Sequence, residues 1–293
     1  MGFSVDILAD SQPVNCGPEC RLTTIEMKYP RIVHAEHLRH RMFSFNVASS
    51  RAIPVKRMIA DVWRDPFVPE WWGAAQKGMQ ADSEVGRVKK WFMRQLWLKS
   101  RLVALVVAWL MVKCGLHKQI PNRLLEPWMW VTVICTGNKS AWDWFFGLRC
   151  HPAAEPHIRH IAEMCRDDMH ANEWLKLVKP LKAGEWHLPL VRKSSEDALL
   201  TEYSGPRVSA GRCARVSYLT HDGKRDVAKD LELSESLTAN NHWSPTEHQA
   251  QVYDFNNDLS HGVYEPKIGG NIGYPWIQFR KTFKGEYIEV KKN

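Results

Sequence analysis

LTTIEMKYPRIVHAEHLRHRMFSFNVASSRA, residues 22–52, carries a strand, a helix and a motif in one continuous stretch. LTTIEMKY, at 22–29, is rich in β-branched residues and alternates in part, which predicts a strand ending before Pro30. Residues 31–43 then read as helical, placing Arg39, His40 and Arg41 at the helix end and in the loop after it. Arg51 adds a further positive charge after Ser44, Asn46, Ser49 and Ser50, and no Lys or Glu occurs between 38 and 52. A solvated charge run normally mixes both signs, so this one implies an anionic partner outside the stretch.

The chain has 293 residues, ample for a substantial core, with 44% hydrophobic and 25% charged residues. Lys and Arg outnumber Asp and Glu by 40 to 32, giving +8 and a pI near 9.1. That balance suits nucleotides, polyphosphate cofactors or nucleic acid. The seven cysteines (16, 20, 114, 135, 150, 165 and 213) contain no CxxC pair, which fits reduced thiols in a cytoplasmic protein better than a disulfide framework. Cys16 and Cys20 have a metal-capable spacing without a second ligand pair nearby, so ordinary small residues are expected there and no metal. No basic n-region with an apolar run opens the chain. LVALVVAWLMV, at 102–112, is too short to span a bilayer and predicts a buried helix.

Further along, 54–82 reads as an irregular excursion with short helices, and 83–113 as a long helix closed at Gly115. A short helix is expected between the prolines of HKQIPNRLLEPW (117–128), a strand at 130–136, and helices over SAWDWFFGLR and AEPHIRHIAEMCRDDM. Residues 191–211 lose the apolar period and predict a loop. ARVSYL then reads as a strand, DVAKDLELSESLTA as a helix, and HQAQVYDF and WIQFRKTF as strand-like. Helices and strands mix throughout, which predicts an α/β or α+β class.

His34, His37 and His40 recur at helical spacing and are expected to be ordinary histidines at a core edge, not metal ligands. Asp226, Asp230, Glu232 and Glu235 read as a solvated helix face. The absence of GxGxxG, GxxxxGK[ST] and GxSxG sets aside the simplest Rossmann, P-loop and hydrolase readings. Arg123, Arg149 and Arg215 lie in apolar surroundings, where a guanidinium needs an anionic or carbonyl partner. Its planar fork matches phosphate and the edge of a pyrimidine.

RHRMFSFNVAS fits Arg-His-Arg, seven residues, Ser, here Arg39, His40, Arg41 and Ser49, and so resembles the hallmark of flavin-dependent thymidylate synthases. The segments TTIEMKYPRIVHAEHLRHR, IPNRLLEPW and TGNKSAWDWFFGLRCHPAAEPHIRHIA are similar to the family's other blocks. ARVSY and HWSPTEH resemble its usual beginning, but they stand last, at 214–218 and 242–248, as in a circular permutation or the permuted branch associated with bacteriophages. The resemblance covers most of 21–175 and 213–250.

The resemblance implies long helices packed on a mixed or antiparallel sheet, forming one catalytic domain over 1–293. Within it, 21–175 is the RHR and helical part, 191–211 a connecting loop, and 213–293 the counterpart of the family's usual N-terminal part. It also implies a cytoplasmic homotetramer, with no membrane association, that binds FAD at subunit interfaces. That enzyme would methylate dUMP reductively, using methylenetetrahydrofolate and NADPH. By the same resemblance Arg39, His40, Arg41, Asn138, Ser217, His242, Ser244 and Glu247 would contact FAD. Glu36, Ser49, Ser50, Arg51, Arg123 and Arg149 would hold dUMP, with Arg123 on its phosphate and Arg149 near the pyrimidine, and Arg149, Ser49 and Arg51 serving the reaction. Ser49 has no adjacent base and reads as a ligand contact, not a nucleophile.

The chain departs from the family pattern at Val47 (a carboxylate in the usual Asn-Glu), Glu36 (glutamine), Trp144 (asparagine) and Ala154-Glu155-Pro156-His157-Ile158 (AQxEI). These changes keep a second enzyme reading open, a phage methylase or hydroxymethylase acting on dUMP or dCMP. A basic nucleic-acid-binding protein is the reading from another class, yet no dense Lys/Arg stripe or recognised module supports it.

Overall fold

In the computed structural model, which describes residues 2–192, 197–216, 226–254 and 265–286, the strand expected at 22–29 is β2 (Leu22–Pro30). It lies at the centre of a five-stranded sheet with β1 (Ser4–Pro13), β3 (Ser44–Val47), β4 (Trp130–Asn138) and β5 (Lys179–Leu181) in the order β3-β4-β2-β1-β5. The pairs are antiparallel except β1 with β5, so the sheet is mixed and the class is α+β. β1 and β3 were not legible as strands, and β1 carries a register shift between Ile7 and Ala9 that blurs its alternation.

The side-chain period of two sends alternate residues of β2 and β4 to opposite faces. Ile25, Met27, Tyr29, Val131, Val133 and Cys135 pack on α5 (Lys139–Arg149) and α6 (Pro156–Trp174), through Trp142, Phe145, Ile158, Ile161 and Cys165. Ile134 packs the other way, against Cys213 and Val216. Both helices are capped by side chains. Asn138 accepts from the Ala141 N–H, and Glu155 accepts from the His157 and Ile158 N–H groups. The altered Ala154–Ile158 sequence thus reads as a helix start, with Pro156 at the first turn.

Against the opposite end of the sheet lies a small antiparallel sheet of β6 (Trp186–His187), β7 (Ala250–Val252) and β8 (Trp276–Gln278). Leu22, Leu181, Val252, Ile272 and Trp276 fill the space between.

Several expectations are corrected. The helix predicted over 31–43 is a three-residue 3-10 turn, Arg31–Val33, followed by one turn of α-helix, α1 (His34–His37). It stops because Phe43 must sink onto the sheet, where its ring occupies the space a side chain at Gly137 would need. The loop predicted at 191–211 holds α7 (Ser204–Arg215), which takes Ala214 and Arg215 out of the expected strand; Ser217 and Tyr218 lie outside the described residues. α7 packs on α8 (Val227–Ala239) so closely that Gly211 meets the Asp230 backbone, a contact no larger residue allows. Asp230 itself is fully buried between Arg212 and Arg215, not solvated, because those guanidinium groups need its charge. Cys16 and Cys20 are joined as a disulfide in the β1–β2 turn, their Cα atoms 6.0 Å apart, whereas reduced thiols were expected.

The long helix is present as α3 (Arg87–Lys113), with Gly115 at φ +85° after it, and α2 (Val55–Arg64) and α4 (Pro121–Leu124) pack beside it. Its apolar run is not buried as expected. Only Ala104, Leu105 and Ala108 reach the core, while Val103, Val106 and Trp109 are half or more exposed. Residues apolar around the whole circumference leave a face uncovered when neighbours pack on one side only. Among the described residues it is the helix long and apolar enough to cross a membrane, though residues 87–101 carry Arg87, Lys89, Lys90, Arg94, Lys99 and Arg101.

Candidate active site

The short helix α1 presents two buried histidines to one hydroxyl. His34 Nδ1 and His37 Nδ1 both lie 2.8 Å from the Tyr29 hydroxyl, which donates to one ring and accepts from the other. Burial, helped by Arg31, lowers the His34 pKa to about 4, and burial drives that of His37 well below its ordinary value. His37 also packs edge-on to Phe45 and beside Phe145. These two rings are core furniture, as the sequence predicted, and lie deeper than the expected edge.

His40 turns away to Arg149, at the last turn of α5. The Arg149 Nε–H donates to His40 Nε2 at 3.0 Å, Nη1 donates to the Glu36 carboxylate at 2.7 Å, and Nη2 to the Glu36 carbonyl at 3.0 Å. His40 must therefore carry its proton on Nδ1, and burial together with the Arg149 charge lowers its pKa to about 4. Glu36, His40 and Arg149, three predicted site residues, thus form one cluster. Three of the five guanidinium N–H groups are engaged, leaving two for an outside acceptor.

A second group forms around Ser49, Ser50 and Arg51. The Asn122 amide donates to the Ser50 carbonyl at 2.6 Å and to the Ile53 carbonyl at 2.8 Å, and the Ser50 hydroxyl donates to Glu126 at 3.0 Å. Lys118 Nζ adds a bond to the Ala52 carbonyl at 2.9 Å. The segment carrying Arg51 is therefore clamped onto the one carrying Arg123. Asn122 and Glu126 were not singled out, although IPNRLLEPW holds them on either side of Arg123.

The third group is built from the C-terminal segments. Asn138 caps α5 and donates to the Ile272 carbonyl at 2.8 Å. Glu247 pairs with Arg280; burial raises its pKa in spite of that partner. Gln278 donates to the Glu247 carbonyl at 3.0 Å and to Asn271 at 2.9 Å, and Asn271 donates to the Met42 carbonyl at 3.1 Å. That last bond ties the C-terminal loop directly to the Arg39–Arg41 stretch. Asn271, Gln278 and Arg280 were missed; nothing local marks Asn271 and Gln278, which reach Met42 and Ser44 more than 200 positions away, and Arg280 shows its role only through Glu247. His242 and Ser244 are exposed nearby in sequence, and Ser217 lies outside the described residues.

Charge separates these residues further. Arg39, Arg41, Arg51 and Arg123 are exposed and have no side-chain hydrogen bond or ion pair among the described residues. Arg215, grouped with Arg123 and Arg149 by sequence context, instead joins Arg212 on Asp230. A half-open cavity of about 750 Å³ lies elsewhere, between β1, Asn172, Lys179, Trp186 and Asp197, and includes none of the predicted site residues.

An α+β sheet protein that displays arginines unpartnered among the described residues, beside a half-buried Arg–Glu–His cluster, has the makings of an anion-binding enzyme. The chain belongs to the thymidylate synthase complementing protein family, whose model matches residues 19–172. No curated protein matches its sequence. Solved structures similar to it include a UMP/dUMP methylase, PolB, from Streptomyces cacaoi bound with 5-Br UMP, at 19% identity and a TM-score of 0.44, covering 60% of this chain and 90% of that one. The same methylase bound with 5-Br dUMP aligns at 15% identity and a TM-score of 0.46, covering 60% and 91%.

Proposed function

We propose that the chain is a flavin-dependent thymidylate synthase that converts dUMP to dTMP by reductive methylation, with methylenetetrahydrofolate as carbon donor and NADPH as reductant. The observation that carries this reading is the contrast among its arginines. Buried Arg21, Arg149 and Arg212 each hold a carboxylate, whereas Arg39, Arg41, Arg51 and Arg123 hold none among the described residues.

The residues present fit an anionic dinucleotide. Arg39 and Arg41 are free to meet a diphosphate, and exposed His242 and Ser244 offer further polar groups. His40, Asn138 and Glu247 already have protein partners, so their part is to shape and orient the binding surface. FAD, when bound, supplies the hydride chemistry. Ser49, Arg51 and Arg123 hold the nucleotide, Arg123 at its phosphate, with Ser50 fixing the Ser49–Arg51 loop through Glu126. Arg149 directs its two remaining N–H groups to the pyrimidine, and Glu36 holds the guanidinium in place.

The exposed apolar face of α3, including Val103, Val106 and Trp109, supports assembly into a homotetramer. Its charged first half argues for a protein partner over a bilayer. A single catalytic domain, permuted as in the phage branch and working in the cytoplasm, completes the proposal. The test is to purify the protein, record its absorbance, and assay it with folate, NADPH and either dUMP or dCMP. A yellow protein with near-stoichiometric flavin that turns over dUMP is expected. Turnover of dCMP alone would shift the reading to a nucleotide-modifying relative, and colourless protein that binds DNA with a steep salt dependence would overturn it.

A further inference from the structure

The turn between β1 and β2 gathers side chains that take no part in the clusters above. Cys16 and Cys20, four positions apart, offer two sulfurs, which is half of a zinc shell. The fold adds a third donor. The 3-10 turn Pro18–Cys20 carries Glu19 back over Gly17, so that a Glu19 carboxylate oxygen and both sulfurs lie within 4.8 Å of one another. The carboxylate occupies the space that a side chain at Gly17 would need, so the missing Cβ there is what admits it. Glu19 has no hydrogen bond or ion pair among the described residues, so no protein cation holds it against the sulfurs.

The backbone under these donors is fixed. Gln12 Nε2 donates to the Cys16 and Gly17 carbonyls at 2.9 and 2.5 Å, the Trp276 indole N–H donates to the Cys20 carbonyl at 2.9 Å, and the Cys20 N–H donates to the Gly17 carbonyl at 3.0 Å. Cys20 is buried, Cys16 half-buried and Glu19 exposed. The group is therefore anchored on its inner side and reachable from solvent on its outer side.

Charge decides what the group does in each oxidation state. In the disulfide the sulfurs are neutral, and Glu19 is the only charge of the three. A small thiol such as glutathione breaks the S–S bond with two electrons and two protons, leaving two cysteine thiols and its own disulfide. Deprotonated, the two thiolates and the carboxylate place three negative charges together, a repulsion that a divalent cation removes. Hard cations such as Mg²⁺ and Ca²⁺ take oxygen ligands, whereas two sulfurs and one carboxylate suit tetrahedral Zn²⁺ with water as the fourth ligand.

We propose that the Cys16–Cys20 disulfide is the closed state of a redox-gated zinc site, which on reduction binds one Zn²⁺ through Cys16 Sγ, Cys20 Sγ and the Glu19 carboxylate. Binding releases the two thiol protons to solvent, so uptake strengthens as pH rises. The site shares no residue with the flavin and nucleotide surfaces and stands independently of that reading.

Cobalt(II) titration of the full-length protein tests it, because thiolate-bound cobalt absorbs in the near ultraviolet and zinc displaces it without absorbing. Chelator-treated, air-equilibrated protein is expected to show five titratable thiols when denatured, and all seven cysteines as thiols after reduction. Reduced protein should take up one cobalt per chain with the intensity of two thiolates, and oxidised protein none. Cys16→Ser should lose the band, exposed Cys114→Ser should keep it, and Glu19→Gln should weaken binding by at least about tenfold. Gly17→Ala, which displaces the Glu19 carboxylate without touching a sulfur, should match Glu19→Gln and carries the test if Cys16→Ser does not fold. Seven thiols in the air-equilibrated protein would overturn the gate. A reduced protein without the band, a band that survives Cys16→Ser, or Glu19→Gln and Gly17→Ala proteins that bind cobalt as tightly as wild type would overturn the site.

Discussion

Arg212 and Arg123 carry the same guanidinium in opposite circumstances. Arg212 sits on α7 with Asp197 on one side and Asp230 on the other, at 2.8 Å each, and is 5% exposed. Arg123 projects from α4 into solvent with no partner among the described residues. Arg149 stands between them, buried and paired like Arg212, yet with N–H groups to spare like Arg123. Burial requires a charge to be answered within the protein, and exposure leaves it available. The three arginines therefore grade from a charge fully answered inside the protein to one left open to solvent.

The sharpest way to break this grading is Asp230→Ala, which leaves Arg212 and Arg215 without their shared carboxylate. Removing one side of a buried pair costs about 3–5 kcal/mol, so urea denaturation should show a loss of that order. A loss near the surface-substitution level would show that the α7–α8 pairs are not structural. Arg149→Ala should weaken dUMP binding on the order of 100-fold by titration calorimetry, in line with truncating one member of a buried charged pair. Flavin absorbance should persist in that variant, and retained dUMP affinity would remove Arg149 from the site.

Acidification probes His34, held on Tyr29, and His40, held on Arg149. His34 and His40 titrate near 4 in the fold, against 6.5 ordinarily. Between those values the unfolded chain takes up protons that the folded chain refuses. Stability is therefore full above pH 6.5 and declines as pH falls toward 4, with buried His187 and His248 extending the decline toward 3. A urea midpoint that rises between pH 7 and pH 5 would contradict the burial of these rings. The gentlest probe is Arg123→Ala, which should leave the midpoint within about 0.5 kcal/mol of wild type. It should still raise the dUMP Kd about tenfold, the loss of one charge-assisted hydrogen bond.

Apolar α3 offers a second contrast with the α5–α6 pair. α5 and α6 bury their aromatic and aliphatic side chains on the sheet, and α3 leaves Val103, Val106 and Trp109 outside. Val103→Glu with Val106→Glu should leave each subunit folded and lower the mass seen by light scattering. An unchanged mass would exclude this face from assembly.

Local pattern was enough for β2, β4, α3, α5, α6 and α8, whose periodicities run long enough to declare themselves. It also delivered the Arg39–Ser49 motif and the cluster members Glu36, His40 and Arg149. It failed for β1 and β3, interrupted by a register shift and by brevity, and for α7, whose Ser, Gly and Pro residues resemble a loop until Gly211 meets α8.

Partners are what the sequence could not contain. Glu36 finds Arg149 across 113 residues, Asn122 finds Ser50 across 72, and His187 finds Thr24 across 163. The sequence by itself determined which residues carry charge, which long periodic segments form strands and helices, and which family the chain resembles. The tertiary structure alone decided which charges are answered inside the protein and which face outward, because pairing depends on distances that only the folded backbone sets.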